Sequence, residues 1–215
     1  MPSSLSDNEL IKTAVITGRH SFDVPGFHAA FRSMPGIDAY VQSLDDFVAD
    51  AGHVREQYDA LVFFHMYMDT PEGRIREVYE TLGESDQGIV VMHHAILAYP
   101  QWDLWNDLVG IEDRSFGYHH DVNIPVKVAN SDHPITNDLS DFEMIDETYT
   151  MDSAGDDSEI LLTTDHEQSM TVLAWARQYR NARVFCTESG HDNQTYIDPN
   201  FRKFTEQGIK WVAGA

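Results

Sequence analysis

Eleven histidines are spread along the 215 residues, and the informative ones stand just after short apolar runs. His20 follows Thr13–Thr17, His65 follows Tyr58–Phe64, and His93 and His94 follow Gly88–Met92. His191 follows Arg183–Thr187, within Ser189-Gly190-His191-Asp192. Imidazole titrates near neutrality and ligates metals, so a set gathered at strand ends can shuttle protons or hold an ion. No two histidines have the i, i+4 spacing of a helical zinc motif, so a divalent ion such as zinc or manganese would be held from separate loops. His119 and His120 are expected in a loop, Phe116-Gly-Tyr-His-His-Asp121, while His53, His133 and His166 read as solvated loop positions.

Glu147 is a carboxylate among apolar and aromatic neighbours, in Met144-Ile-Asp-Glu-Thr-Tyr149. Burial would raise its pKa and suit it to general acid/base work; pairing with Arg177 is the alternative. Gly18 and Gly190 offer sharp backbone turns beneath a ligand, although turn chemistry alone explains either. Cys186 is the single cysteine and sits inside an apolar run, so it reads as a core thiol. The chain has no G-x-G-x-x-G, Walker or G-x-S-x-G motif, which disfavours dinucleotide, nucleotide and serine-hydrolase chemistry.

The elements that must position these groups read as α/β. Thr13–Thr17, Ile37–Ser43, Tyr58–Phe64 and Gly88–Met92 are strand-like. Helical stretches are expected over Gly26–Met34 and from Pro71 to Leu82, and an aromatic helix is expected to hold Tyr99, Trp102 and Trp105. This alternation predicts right-handed crossovers and a mostly parallel sheet, with ligands beyond its carboxyl ends. Asn123–Val128, Glu159–Thr163, Val172–Trp175 and Arg183–Thr187 are short runs without long helices between them. They are expected to extend the sheet with antiparallel strands before a closing helix, Pro199–Val212. Residues 1–10 read as a flexible tail and 11–215 as a single domain.

Composition bounds the function. Fourteen basic against 36 acidic residues give a net charge of −22, a field that repels nucleic acid and anionic membrane surfaces. Twenty-three of the acids are Asp and only four residues are Lys, the balance a high-salt cytoplasm favours. A lone cysteine, no signal-peptide pattern and no apolar run of about 20 residues predict a cytoplasmic protein.

Together these segments resemble the ThuA-like (trehalose-utilisation) family. The resemblance is carried by Val15-Ile-Thr-Gly18 with His20, Tyr58-Asp-Ala-Leu-Val62, Val91-Met-His-His-Ala95, and Trp102 through Gly110. Beyond these it rests on Phe116-Gly-Tyr-His119, Asp132-His-Pro-Ile-Thr136, Asp146-Glu-Thr-Tyr149, Trp175-Ala-Arg177 and Gly190-His-Asp192. It implies a flavodoxin-like, class I glutamine amidotransferase-like three-layer α/β sandwich. The amidotransferases carry a nucleophilic cysteine in the turn that His93 occupies here, so a thioester route is closed. Functional weight falls by resemblance on His93, His119, Glu147, Trp175 and His191, and more loosely on His20 and Asp192; Gly18, His94 and Arg177 are also expected around the substrate. The chain departs from the family pattern where Glu84–Gly88 replaces a glycine-rich run, and where His94 stands in place of a common glycine. The implied ligand is a neutral sugar, stacked on Trp175, Trp102 or Tyr118. It is either processed as a disaccharide, glycoside or keto-glycoside, or bound without turnover. A metal-dependent hydrolase of another small metabolite is a third reading. Trp102 and Trp105, or the antiparallel edge, are the surfaces on which a homodimer would form.

Overall fold

A computed structural model describes residues 10–215, so the expected tail falls, but for its last residue, outside the described residues. The strands are β1 (Ile11–Gly18), β2 (Ile37–Ser43), β3 (Ala60–His65), β4 (Gly88–Met92), β5 (Gly117–Val128), β6 (Phe142–Thr150), β7 (Glu159–Thr163), β8 (Val172–Tyr179) and β9 (Ala182–Thr187). They form one sheet of order β2-β1-β3-β4-β9-β8-β7-β5-β6. The five strands from β2 to β9 are mutually parallel, and β8, β7, β5 and β6 continue the sheet antiparallel. The mixed α/β sheet, parallel first and antiparallel later, matches the expected class.

The helices are α1 (Val24–Arg32), α2 (Leu44–Ala49), α3 (Gly73–Glu80), α4 (Asp103–Val109), α5 (Asn193–Tyr196) and α6 (Pro199–Ala213). They divide between the two faces of the sheet because its central strands β3 and β4 are apolar and buried on both sides. Val15, Val62, Val90 and Phe185 face Phe27 of α1, Tyr196 of α5 and Phe201, Phe204 and Ile209 of α6. Their chain neighbours Ile16, Phe63, Val91 and Val184 face Phe47 of α2, Tyr79 of α3 and Trp105 of α4. Two-residue periodicity thus builds a core on each side of one sheet.

Three details differ from the sequence expectation. After β4 the chain makes a 3-10 turn, His93–Leu97, and α4 begins only at Asp103, so Tyr99 and Trp102 precede the helix. β5 is twice the anticipated length and draws His119 and His120 into a strand, pairing with β6, which had no strand expectation. Trp102 and Trp105 are buried in the α4-side core, so they offer no dimer surface. His133 is also buried, its ring 5.0 Å from that of Trp211.

Close packing leaves no room at Gly88, where a Cβ would lie 2.5 Å from the backbone carbon of Val212 in α6. Gly88→Ala is expected to cost about 1–3 kcal/mol, read from the urea midpoint, because a backbone atom rather than a pliable side chain stands in the way. His65, at the end of β3, is buried with its Nε2 2.6 Å from the Tyr79 hydroxyl. Burial pushes its pKa down to about 3. The folded value lies below the unfolded one, so the stability contributed by neutral His65 is complete above the unfolded pKa and is lost as pH falls toward 3. The loss proceeds at about 1.4 kcal/mol per pH unit. Urea unfolding between about pH 4 and 6 is expected to show a slope shallower by that amount in His65→Phe.

Candidate functional site

The carboxyl ends of β4 and β9 carry the chemistry. β4 runs into His93, whose φ of 53° is left-handed, a conformation costing a non-glycine residue about 1–2 kcal/mol. That turn aims a fully buried ring across the end of the sheet. Its Nδ1 lies 2.7 Å from the Glu188 carbonyl, which can only accept, so Nδ1 carries the proton and Nε2 presents a lone pair. Around Nε2 stand the Tyr149 hydroxyl at 2.9 Å, His191 Nδ1 at 3.2 Å and Glu147 Oε1 at 3.5 Å. His191 Nδ1 is 3.4 Å from the same Glu147 oxygen. The other carboxylate oxygen of Glu147 meets His120 Nδ1 at 2.8 Å.

Glu147 and Tyr149 reach this point from one face of β6, two residues apart. Asp146 is buried and accepts from the backbone amides of Glu147 (2.9 Å), Gly190 (2.8 Å) and His191 (3.0 Å). One side chain therefore ties β6 to the loop after β9. Glu188, also buried, accepts from the Tyr149 amide at 2.6 Å and from Ser169. Gly190 holds a φ of 132° in that loop, over Met92 and His93. Gly18 has a φ of 155°, and a Cβ there would lie 2.9 Å from the Tyr67 ring.

The electrostatics favour acceptors. Burial works to raise the Glu147 carboxyl, but its contacts with His93, His191 and Tyr149 outweigh it and hold the pKa below its ordinary value. This reverses the expected upward shift: Glu147 is a carboxylate base or ligand. Burial, then His93, lowers His191, which is a neutral imidazole near neutral pH. Burial and the Glu147 charge keep the Tyr149 phenol protonated, well above its ordinary range. Burial likewise raises Asp146 and Glu188.

The sequence-expected positions separate. His93, Glu147 and His191 converge. His20 stacks on His94 with ring centroids 4.2 Å apart and stands edge-on to His191 at 6.1 Å, so both border the cluster. Burial drives His94 strongly toward the neutral form, and neither of its ring nitrogens has a hydrogen-bond partner among the described residues. His119 points away, toward Gln168, because alternation along β5 puts His120 opposite Glu147 instead. Trp175 is buried with its indole N–H on the Val109 carbonyl, so it cannot stack on a ligand. Arg177 pairs with Asp157 at 2.8 Å, not with Glu147, and lies toward the opposite end of β8. Asp192 caps α5 by accepting from the Gln194 amide.

Sequence reasoning passed over His120, Tyr149, Asp146 and Glu188. The alternation Tyr118, His120 against Glu147, Tyr149 was a signal for the first two, available once 117–128 is read as strand. The exposed Tyr118 ring lies 5.3 Å from His120, at the rim. Cys186 is buried and burial raises its thiol, so the turn after β4 has no thiolate. A groove of about 620 Å³ lies at the amino ends of β3 and β4 beside Tyr58 and Gln87, away from this cluster.

The fold is that of class I glutamine amidotransferase-like α/β proteins, and the turn after β4 carries His93 and His94. The ThuA (trehalose utilisation) family model matches residues 25–212, and the chain belongs to that family. It is similar to a ThuA-like protein of Parabacteroides merdae, with 20% identity, a TM-score of 0.76, and 95% of this chain and 90% of that one covered. A ThuA-like protein of Bacteroides uniformis aligns with 16% identity and a TM-score of 0.73, covering 99% and 95%. A glutamine amidotransferase of Thermotoga maritima shares the fold at 8% identity and a TM-score of 0.53, covering 94% and 99%. No curated protein matches the chain. Among the described residues no helix is long and apolar enough to cross a membrane.

Asp146→Ala leaves three backbone amides without their acceptor and is expected to cost about 3 kcal/mol or more in urea unfolding. His119→Ala, on the far face of β5, is expected to leave the urea midpoint within about 0.5 kcal/mol.

Proposed function

We propose that the chain processes a disaccharide, glycoside or keto-glycoside at the cluster of His93, Glu147, His191 and Tyr149. The observation that carries this reading is the convergence of a carboxylate, two imidazoles and a protonated phenol within 3.5 Å at the carboxyl ends of the parallel strands. Open α/β sheets bind their ligands there. The family description, trehalose utilisation, supports a sugar as the substrate class. Glu147 is the general base that takes a hydroxyl proton, His191 accepts and relays it, and the Tyr149 hydroxyl donates to oxygen on which negative charge develops. His20, His94, His120 and Tyr118 border the space a sugar ring would fill. A neutral polyhydroxylated ligand suits a chain of charge −22, which would repel an anionic one.

The test is incubation with a panel of disaccharides and their keto derivatives, with products followed by chromatography. Glu147→Gln is expected to lower kcat by about 10²–10⁴-fold, while His53→Asn, exposed and remote, leaves it unchanged. Sugars bound without any product would replace this reading by a non-catalytic sugar-binding one.

A further inference from the structure

The three atoms at the centre of the cluster form a nearly equilateral triangle. Its edges are 3.2 Å from His93 Nε2 to His191 Nδ1, 3.4 Å from His191 Nδ1 to Glu147 Oε1, and 3.5 Å from Glu147 Oε1 to His93 Nε2. Zinc binds imidazole nitrogen and carboxylate oxygen at about 2.0–2.2 Å, and a tetrahedron with such bonds has edges of about 3.3–3.6 Å. An octahedral magnesium site, with bonds of about 2.0–2.1 Å, would need adjacent ligands only about 2.9 Å apart. We propose that His93, His191 and Glu147 are the three protein ligands of a divalent zinc-type ion, with the fourth position open to substrate.

Within the triangle one edge has no proton to share. His93 Nδ1 holds that ring's proton against the Glu188 carbonyl, so Nε2 is an acceptor, and a carboxylate oxygen is another. The Tyr149 hydroxyl reaches Nε2 from outside the triangle and His191 Nδ1 supplies at most one proton inside it, so the 3.5 Å edge from His93 Nε2 to Glu147 Oε1 joins two acceptors. A cation above the triangle satisfies all three lone pairs at once.

The ends of the ligands that face away from the triangle are held as metal ligands require. The Glu188 carbonyl fixes the His93 tautomer. His120 Nδ1 engages Glu147 Oε2 at 2.8 Å, leaving Oε1 as a single coordinating oxygen. Asp146 holds the backbone amides of both Glu147 and His191. His93 is fully buried, Glu147 nearly so, and His191 about a quarter exposed, so the open side is the one bordered by His20 and His120. Three protein ligands and a free position are the arrangement of catalytic rather than structural zinc. Tyr149, 2.9 Å from His93 Nε2, stands where its hydroxyl would donate to whatever fills that position.

The ion deepens the carbohydrate reading but is tested without it. Full-length protein purified without chelator or affinity-tag metal is assayed by elemental analysis, then stripped and titrated calorimetrically with Zn²⁺. A Co²⁺-loaded sample is read for the visible bands of four-coordinate cobalt. The expected result is one equivalent of zinc and a four-coordinate cobalt spectrum. His191→Ala and Glu147→Gln should each weaken Zn²⁺ binding at least about 100-fold with unchanged circular dichroism, while His119→Ala leaves it intact. Weak, non-stoichiometric binding that His191→Ala and Glu147→Gln do not alter would be binding to the acidic surface and would overturn the site. Turnover of a glycoside by fully stripped protein would overturn the ion's part in catalysis and leave the acid–base reading standing. Stoichiometric zinc with no sugar turned over would uphold the ion and remove the carbohydrate reading.

Discussion

Everything at this site depends on the Asp146 carboxylate. A hairpin at the far edge of the sheet and a loop after a central strand have no covalent reason to keep register. Asp146 supplies a physical one, because its two oxygens take three amide protons that would otherwise be stranded in a dry interior. Two of those amides belong to Glu147 and His191, so the same contact that closes the fold sets the spacing of the functional groups. The Glu188 side chain makes a second such tie, to the Tyr149 amide, while its carbonyl orients His93. Structure and chemistry here share their hydrogen bonds.

The second constraint is the supply of protons. Burial and mutual repulsion leave His20, His94 and His191 neutral, and Glu147 ionised beneath its ordinary pKa. The cluster is therefore rich in lone pairs, with Tyr149 as a phenol held in its protonated form. The strained turn after β4 projects one side chain across the sheet end, and what it projects is an acceptor rather than a thiolate. The single thiol of the chain, Cys186, is buried inside β9.

The parallel half was legible in the sequence because each strand there is a continuous apolar run with punctuation. Gly18, Pro25, Pro71 and Gly88 mark boundaries that the structure keeps to within a few residues. The hairpin was not legible. Residues 117–128 and 142–150 mix charged, polar and aromatic side chains, since one strand face is wet over much of its length. The local sequence thus marked only Asn123–Val128 as a strand and left residues 117–122 and 142–150 unread. Arg177 and Glu147 could be paired on charge alone until the register of β8 against β9 placed Arg177 toward the other end of the strand. Trp175 carried the same ambiguity, because an aromatic in a strand suits a core and a sugar platform equally.

By itself the sequence determined the α/β class, the family, and the gathering of His20, His93, His94 and His191 at one end of the sheet. Those follow from local runs and from where strands must stop, which short-range pattern encodes. Only the tertiary structure decided that His120 rather than His119 meets Glu147, that Glu147 is held ionised, and that Asp146 binds the two halves together. These are outcomes of strand pairing and burial between residues 27 to 45 positions apart, and no local pattern records the environment that a side chain meets across such a distance.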